Sequence, residues 1–453
     1  MAGSEEKLGT EKLGKLILSM GIPTLIAQVI NLLYNIVDRM YIGHIEGVGA
    51  TALTGVGLTL PIIMIITAFS SFVGAGGAPL ASIALGQGNK KRAETILSNG
   101  FIMLCVIAVV LMVVFYAVEK PFLYLIGASD VTYPYAKEYL DIYLIGTLFV
   151  QLVIGLNPFI TAQGKSKIAM LSVVIGAVIN IGLDPVFIFG LNMGVRGAAL
   201  ATILSQLVSA VWTVRFLMSK KTSLRIQPKY FKPDWRIIGL VAGLGISPFI
   251  MQSTESLITI VLSSGLQRYG GDLYVGSLTI LQSIMQMINV PITGFTQGVQ
   301  PIVSYNFGAG KLDRVRKTYR IVILTTLTLS AVVTLTVMIW PGVYASMFTS
   351  STELIELSKQ VMPIFMAGML IFGLQMGCQN TFMGLGQAKI SLFLALLRKV
   401  ILLVPFAIIF PMVTNNVMSI YYAECTADTI AALVCGTVFA LRIKNILARG
   451  PAK

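Results

Sequence analysis

The sequence predicts an all-α polytopic membrane protein: twelve transmembrane helices in two six-helix lobes. Three observations carry that reading. Of the 453 residues, 56% are hydrophobic and only 11% charged, against roughly 25% charged in ordinary soluble domains. Apolar runs such as residues 101–118 and 321–340 reach the length of about 20 residues that a helix needs to cross a bilayer. They are continuous rather than short and alternating, which disfavours barrel strands. Finally, the chain is written twice. Pro79, Leu80, Ala81 and Ser82 with Gly86 and Gly88 return as Pro301, Ile302, Val303 and Ser304 with Gly308 and Gly310, a shift of 222 residues. Gly146 returns as Gly368 and Gly164 as Gly386 at the same shift, and Gly21, Ile22 and Gln28 return as Gly245, Ile246 and Gln252 at a shift of 224. A repeat of this size in an apolar chain is a signature of transporters whose site lies between the copies.

The first lobe (1–218) is expected to hold spans at about 15–40, 52–78, 94–117, 134–160, 167–190 and 194–218. Pro23 interrupts the first of these and is expected to act as a hinge, because a proline removes a backbone hydrogen bond and kinks a helix. Pro79 falls near the end of the second. Residues 219–236, with Pro228, Pro233 and six basic side chains, read as a cytoplasmic linker. The second lobe (237–453) repeats the scheme at about 237–264, 274–305, 317–340, 355–383, 388–411 and 415–442. Pro301 falls near the end of the eighth span, and Pro363 and Pro405 fall inside later ones. An even number of spans per copy puts both lobes in one orientation. Their pseudo-twofold axis then runs along the membrane normal, with a cleft between them.

Net charge is +14, but most Lys and Arg sit in alternate connections and in the two tails, while Glu46, Glu119, Asp130, Asp272, Glu353 and Glu356 mark the others. This is the positive-inside pattern, which places both termini in the cytoplasm. No basic, aromatic-interleaved face points to nucleic acid. The four cysteines lie within apolar spans without CxxC spacing and read as small buried hydrophobes. The mixed-charge N-terminus carries no small-residue cleavage site, so no signal peptide is expected. Gln163, Gly164, Lys165 and Ser166 look like the end of a phosphate loop, but Phe159 stands where the first glycine is required, so ATP is not the expected energy source. His44 is the only histidine, which excludes His-based metal or triad chemistry.

The polar residues inside the spans carry the chemistry. Gln28, Asn31, Asn35 and Asp38 share one face of the first span, and Gln252, Glu255 and Thr259 repeat the first three positions on the seventh. A carboxylate at bilayer depth costs roughly 2.5–3.5 kcal/mol on insertion scales. The stripes therefore face protein or water, as a hydrogen-bonded network or as a cation or proton site. Asn180 and Asp184 lie one turn apart on the fifth span. Pro185 follows and disfavours helical geometry at Asp184, freeing nearby carbonyls. With Thr202 these groups make a hard-oxygen set for a small cation. Two carboxylates buried close together suit proton carriage equally well. In the second lobe, Gln282, Gln286, Asn289, Thr293 and Gln300 share a face, as do Gln375 and Gln379. Arg398 and Lys399 are expected to form a buried ion-pair network with Glu424 and Asp428. Glu255 has no basic residue on its own helix face. Met285, Met287, Met366, Met369, Met376 and Met383 concentrate in this lobe. They read as core filling or, as a cluster beside buried acids, as an adaptable binding surface.

Asp38 within Val37, Asp38, Arg39, Met40, Tyr41, Ile42 and Gly43, and residues 180–188 (NIGLDPVFI), together with the duplicated Pro-x6-Gly loops, resemble the MATE (multidrug and toxic compound extrusion) family over essentially the whole chain. Residues 297–310 and 392–403 look most like its bacterial MepA-type branch. The resemblance implies a MATE/MOP-superfamily antiporter of the bacterial plasma membrane. It would expel lipophilic organic cations in exchange for inward H⁺ or Na⁺ and need no other cofactor; a monomer is expected. It assigns Asp38, Asn180, Asp184 and Thr202 to ion coupling, with Na⁺ a candidate there. Glu255 matches the acid that many members carry on the seventh span. From the polar faces and methionines described above, Gln28, Asn31, Asn35, Gln252, Gln282, Met285, Gln286, Gln375 and Gln379 are expected with Glu255 as substrate contacts. Where some Na⁺-coupled relatives carry an aspartate on the tenth span, this chain has Phe372, Gly373, Leu374 and Gln375. A lipid-linked oligosaccharide flippase of the same superfamily is the alternative transporter, with Arg398 and Lys399 its only candidate pyrophosphate ligands. A receptor or scaffold without transport is the alternative outside that class, and no nucleophile–base pair points to an enzyme. The charges do not repeat: Asp38, Asn180 and Asp184 stand opposite Leu262, Leu402 and Phe406. Coupling is therefore expected in the first lobe and much of the substrate contact in the second.

Overall fold

The computed structural model describes residues 4–126, 128–220, 222–348 and 351–450, and every regular element among them is helical. The first lobe consists of α1 (Leu13–Gly43), α2 (Leu60–Gly86, preceded by a short helix at Gly49–Gly57), α3 (Lys90–Leu125), α4 (Tyr133–Ile145 and Thr147–Ala162), α5 (Ser166–Pro185) and α6 (Gly194–Met218). The second consists of α7 (Trp235–Gly270), α8 (Asp272–Gly308), α9 (Leu312–Ile339), α10 (Thr352–Met366 and Met369–Gly384), α11 (Ala388–Leu396, a π turn at Leu397–Leu403, then Val404–Thr414) and α12 (Met418–Arg449). Ten helices among the described residues are long and apolar enough to span a bilayer, or twelve when each half of α4 and of α10 is joined to its partner.

The bends that divide those two helices explain one repeated glycine. The halves of α4 meet at 58° and those of α10 at 41°, at Gly146 and beside Gly368. A Cβ on Gly146 would lie 2.5 Å from Ile203, and one on Gly368 would lie 2.7 Å from the Cβ of Asp428. Glycine thus lets α4 fold around α6, and α10 around α12. The loop glycines have a different reason. Gly88 and Gly310, like Gly164 and Gly386, hold φ between +70° and +79°, the left-handed stop that ends a helix.

α2 and α8 run on past Pro79 and Pro301, beyond the expected ends at about 78 and 305, to Gly86 and Gly308. This extension brings the lobes together. A Cβ on Gly86 would lie 2.0 Å from the carbonyl oxygen of Tyr305, and one on Gly308 would lie 2.0 Å from that of Ile83. The two repeat copies therefore touch backbone to backbone. Ser82 donates from its hydroxyl to Pro301 O across the same seam (3.2 Å). α7 closes on α2 through Gly76 and Gly245, and the Phe249 ring sits 4.7 Å from that of Phe69. α1 closes on α8 through Gly294 and Gly298. Gln252 donates to Ser71 (2.9 Å), and Gln28 donates to Gln297 (3.0 Å).

All of these contacts fall on the halves of α1, α2, α7 and α8 nearer the chain termini. No hydrogen bond or ring pair among the described residues joins the lobes beyond Gln28, Phe69, Gln252 and Gly294. The cleft is thus closed on the face that carries the termini and splayed toward the other. The closed face is reinforced by the N-terminal helix (Ser4–Thr10), whose Leu8 carbonyl accepts from Asn306 Nδ2 (2.8 Å) and Arg314 Nη2 (3.2 Å). Gln163, from the failed phosphate loop, has a structural task there: its Oε1 accepts from the Ser223 and Leu224 amides (3.0 and 3.2 Å) and holds the linker beneath the first lobe.

Candidate functional site

The first-lobe site forms where α1 packs along α5. Small residues let α5 and α6 approach: a Cβ on Gly176 would lie 2.5 Å from Ser209 Oγ. Between these helices Asp38, Asn180, Asp184 and Thr202 are all buried, at 7%, 1%, 0% and 7% exposure. Asn180 Nδ2 donates to Asp184 Oδ1 (3.2 Å) and to Thr202 Oγ1 (3.4 Å). Three acceptor oxygens, Asp38 Oδ1, Asn180 Oδ1 and Asp184 Oδ2, are buried without a hydrogen-bond partner among the described residues. Buried acceptors are normally satisfied. Oxygen acceptors that no protein donor reaches are suited to a bound proton or to a small hard cation. Asn180, Asp184 and Thr202 are thus joined by hydrogen bonds, Asp38 is buried on the helix packed against them, and these oxygens are of a kind that would hold a proton or a small hard cation.

One expectation is not met. Pro185 does not break the helix at Asp184. α5 stays helical through Pro185 and then widens into a π turn at Val186–Gly190, closed by Leu191 N–H donating to Val186 O (2.8 Å). The groups available to ligate here are therefore side chains, not freed carbonyls. Sequence reading also missed three tyrosines. Tyr139 and Tyr143, one turn apart on α4, are buried with rings stacked at 6.1 Å. Tyr34, half-buried on α1 one turn before Asp38, is the third. Their signal was a pair of tyrosines in a four-residue register on an otherwise apolar span.

The stripe on α1 divides. Asp38 turns into the lobe, Asn31 and Asn35 remain exposed, and Gln28 reaches across to Gln297. Pro23 is buried within a continuous α1, its neighbourhood packed by Gly294 and Gly298. At the matching place in the second lobe Leu262, Leu402 and Phe406 belong to an apolar core.

The second lobe holds its charges elsewhere, and here the ion-pair expectation needs correction. Arg398 Nε donates to Asp428 Oδ1 (2.6 Å), Glu424 lies 3.9 Å from the guanidinium, and the guanidinium sits 4.6 Å over the ring of Phe372. Lys399 is not part of that set. It forms an ion pair with Glu255 and donates to Met251 O (3.2 Å). Glu255 was expected to be unpaired because its own helix face carries no base; the base arrives from α11 instead. The π turn at Leu397–Leu403 carries both cations and sends these neighbouring residues to different partners. The pair is lopsided: the Lys399 side chain is 4% exposed and that of Glu255 57%. Glu255 therefore presents a carboxylate to the cleft while an internal ammonium holds it from behind.

The other expected substrate contacts sort by burial. Gln286 is exposed, and Gln282 donates to Thr259 (3.3 Å) beside Glu255. Gln375 and Gln379 are only 2% and 3% exposed. They do not reach the cleft in this conformation, because Gly373 and Gly377 draw α10 tightly onto α9. Gln379 instead donates to Met251 Sδ (3.2 Å), behind the Lys399–Glu255 pair. The methionine cluster divides too: Met366, Met369 and Met383 are core, Met285 is half-buried against it, and Met287 is exposed.

The MatE family profile matches residues 23–186 and again residues 248–409, once per lobe and over more than half of the chain. The chain belongs to the MatE family. The multidrug export protein MepA of Staphylococcus haemolyticus is 25% identical over 94% of each chain, and that of Staphylococcus saprophyticus is 26% identical over 91% of each. Among solved structures, a MATE transporter in the bent conformation superposes with a TM-score of 0.92 at 24% identity, covering 99% of both chains. A MATE transporter of the MOP superfamily in an outward-facing conformation superposes at 0.90 over 98% of this chain and 99% of that one. The double match to the MatE profile is the internal repeat seen at the family level, and the superpositions bear out the two-lobe, twelve-span architecture.

Proposed function

We propose that this protein is a secondary multidrug exporter of the bacterial plasma membrane. It exchanges lipophilic organic cations for inward-moving H⁺ or Na⁺ by alternating access. The observation that carries the reading is the set of three unpartnered acceptor oxygens on Asp38, Asn180 and Asp184, buried beside a cleft that opens on one face only. Membership of the MatE family and similarity to proteins named as multidrug exporters support it. The positive-inside charge distribution makes the closed, termini-bearing face cytoplasmic, so the conformation is one that admits the coupling ion from outside.

Asp38, Asn180, Asp184 and Thr202 take the ion. Asn31, Asn35, Gln286 and the exposed carboxylate of Glu255 offer a wet, acidic wall to a cationic substrate. Ion and substrate each favour one arrangement of the lobes, and exchange follows because neither can shift the equilibrium without differential affinity for the two states. Pro23, inside the helix that carries Asp38, is the hinge through which occupancy reshapes α1. The flippase reading loses ground on a specific observation: Arg398 and Lys399, its candidate pyrophosphate ligands, are both engaged with carboxylates.

The test is ethidium efflux in proteoliposomes carrying a pH gradient or a Na⁺ gradient alone. Transport driven by one gradient and not the other identifies the ion. Asp38→Asn is expected to abolish efflux while the protein elutes and melts as wild type. Full efflux by that variant contradicts the assignment.

A further inference from the structure

The linker between the lobes builds a second, separate cavity at the face that carries the termini. Its volume is about 570 Å³, and Lys91 from α3 together with Lys229, Tyr230, Lys232, Trp235 and Arg236 from the linker and the start of α7 line it. Four cations converge there, and among the described residues none of them forms an ion pair. Asp234 also lines the cavity, but its carboxylate is committed: it accepts from the amides of Arg236 (3.0 Å) and Ile237 (3.3 Å) as the cap of α7. The floor is held in place. Asp234 N–H donates to Asn99 Oδ1 (2.9 Å), and the Phe231 ring stacks on Phe101 at 5.8 Å. Beside the cations, Trp235 is 79% exposed. An exposed tryptophan at the first residue of a spanning helix marks the membrane–water boundary.

We propose that this cavity binds the phosphate headgroup of an anionic phospholipid of the same leaflet. The four cations receive the phosphate, and Trp235 lies against the acyl chains. Clustered Lys and Arg at a membrane boundary attract anionic lipid. The exposed apolar rim selects a lipid over a soluble phosphate, which would leave that rim in water. Lys91 belongs to the first lobe, whereas Trp235 and Arg236 open the first helix of the second. A bound lipid therefore ties α3 to the start of α7. Because α7 in turn closes on α2 through Gly245, occupancy holds this face shut.

The test uses the full-length protein carrying W212F and W340F, so that Trp235 is the sole tryptophan of the three in the chain. It is placed in phosphatidylcholine nanodiscs doped with chain-brominated phosphatidylglycerol or chain-brominated phosphatidylcholine. Trp235 fluorescence is expected to be quenched at a mole fraction of the glycerol lipid about tenfold lower than of the choline lipid, and K229Q/K232Q/R236Q is expected to erase most of that preference. K91Q/K229Q, which alters one cation on each side of the cavity, serves should the triple variant not elute and melt as wild type. Equal quenching by the two lipids, or full preference in a well-folded variant, overturns the proposal. Loss of the preference in millimolar inorganic phosphate overturns the choice of lipid and leaves a soluble-phosphate site.

Discussion

Gly245 offers a direct test of whether the seam between α2 and α7 sets the conformational equilibrium. A methyl group there would lie 1.9 Å from the carbonyl oxygen of Phe72 and 2.8 Å from its carbon. Both atoms are backbone and cannot rotate away, so Gly245→Ala must push the helices apart by more than about 1 Å to reach ordinary contact. Overpacking of this kind typically costs about 1–3 kcal/mol. The cost falls on the conformation described here and is relieved in one where α7 has left α2. It therefore shifts the balance between the two by about five- to 150-fold. Gly239 is the internal control: it lies on the same helix, yet a methyl there meets nothing within 4 Å. Gly239→Ala should be neutral or slightly stabilising through helix propensity alone. Electron–electron spin distances report the outcome, with one label pair on the termini-bearing face at Lys91 and Lys311 and another on the opposite face at Val131 and Val413. The first distance should lengthen and the second shorten in Gly245→Ala, with no change in Gly239→Ala. Unchanged distributions in Gly245→Ala, with an unchanged melting temperature, would refute the reasoning.

The charge network of the second lobe yields two further expectations. Arg398→Met strands Glu424 and Asp428 in a buried site and should destabilise the protein by about 3–5 kcal/mol; adding Glu424→Gln and Asp428→Asn should recover much of the lost melting temperature. Lys399→Met removes the internal ammonium that competes with a cationic drug for Glu255. Since a half-exposed pair is worth at most about 1 kcal/mol, ethidium should bind about two- to fivefold tighter by fluorescence titration. A neutral ligand should be unaffected, and Glu255→Gln should cancel the gain.

Much of this molecule was legible in the residues because a bilayer reads sequence simply. Long apolar runs must be helices there, since nothing else satisfies the backbone. Basic connections orient them, and a 222-residue repeat implies two lobes. The repeated glycines were legible as positions, and the structure supplies their reasons: left-handed stops at Gly88 and Gly310, bends at Gly146 and Gly368, and backbone contact at Gly86 and Gly308. The first-lobe site was legible because Asn180 and Asp184 share a helix face, while Asp38 and Thr202 are polar exceptions in apolar surroundings.

What the sequence could not determine depended on how helices are rotated against partners far along the chain. Periodicity names the face a residue shares on its own helix, but not what another helix brings to it. Glu255 looked unpaired until α11 set Lys399 against it, 144 positions later. Gln375 and Gln379 looked like cleft residues until two glycines pulled α10 inward. The sequence by itself determined a membrane-spanning, duplicated helical chain with acids in its interior. Only the tertiary structure decided which acids stand free, which are neutralised, and on which face the cleft opens, because each of these is a distance between segments that local pattern does not contain.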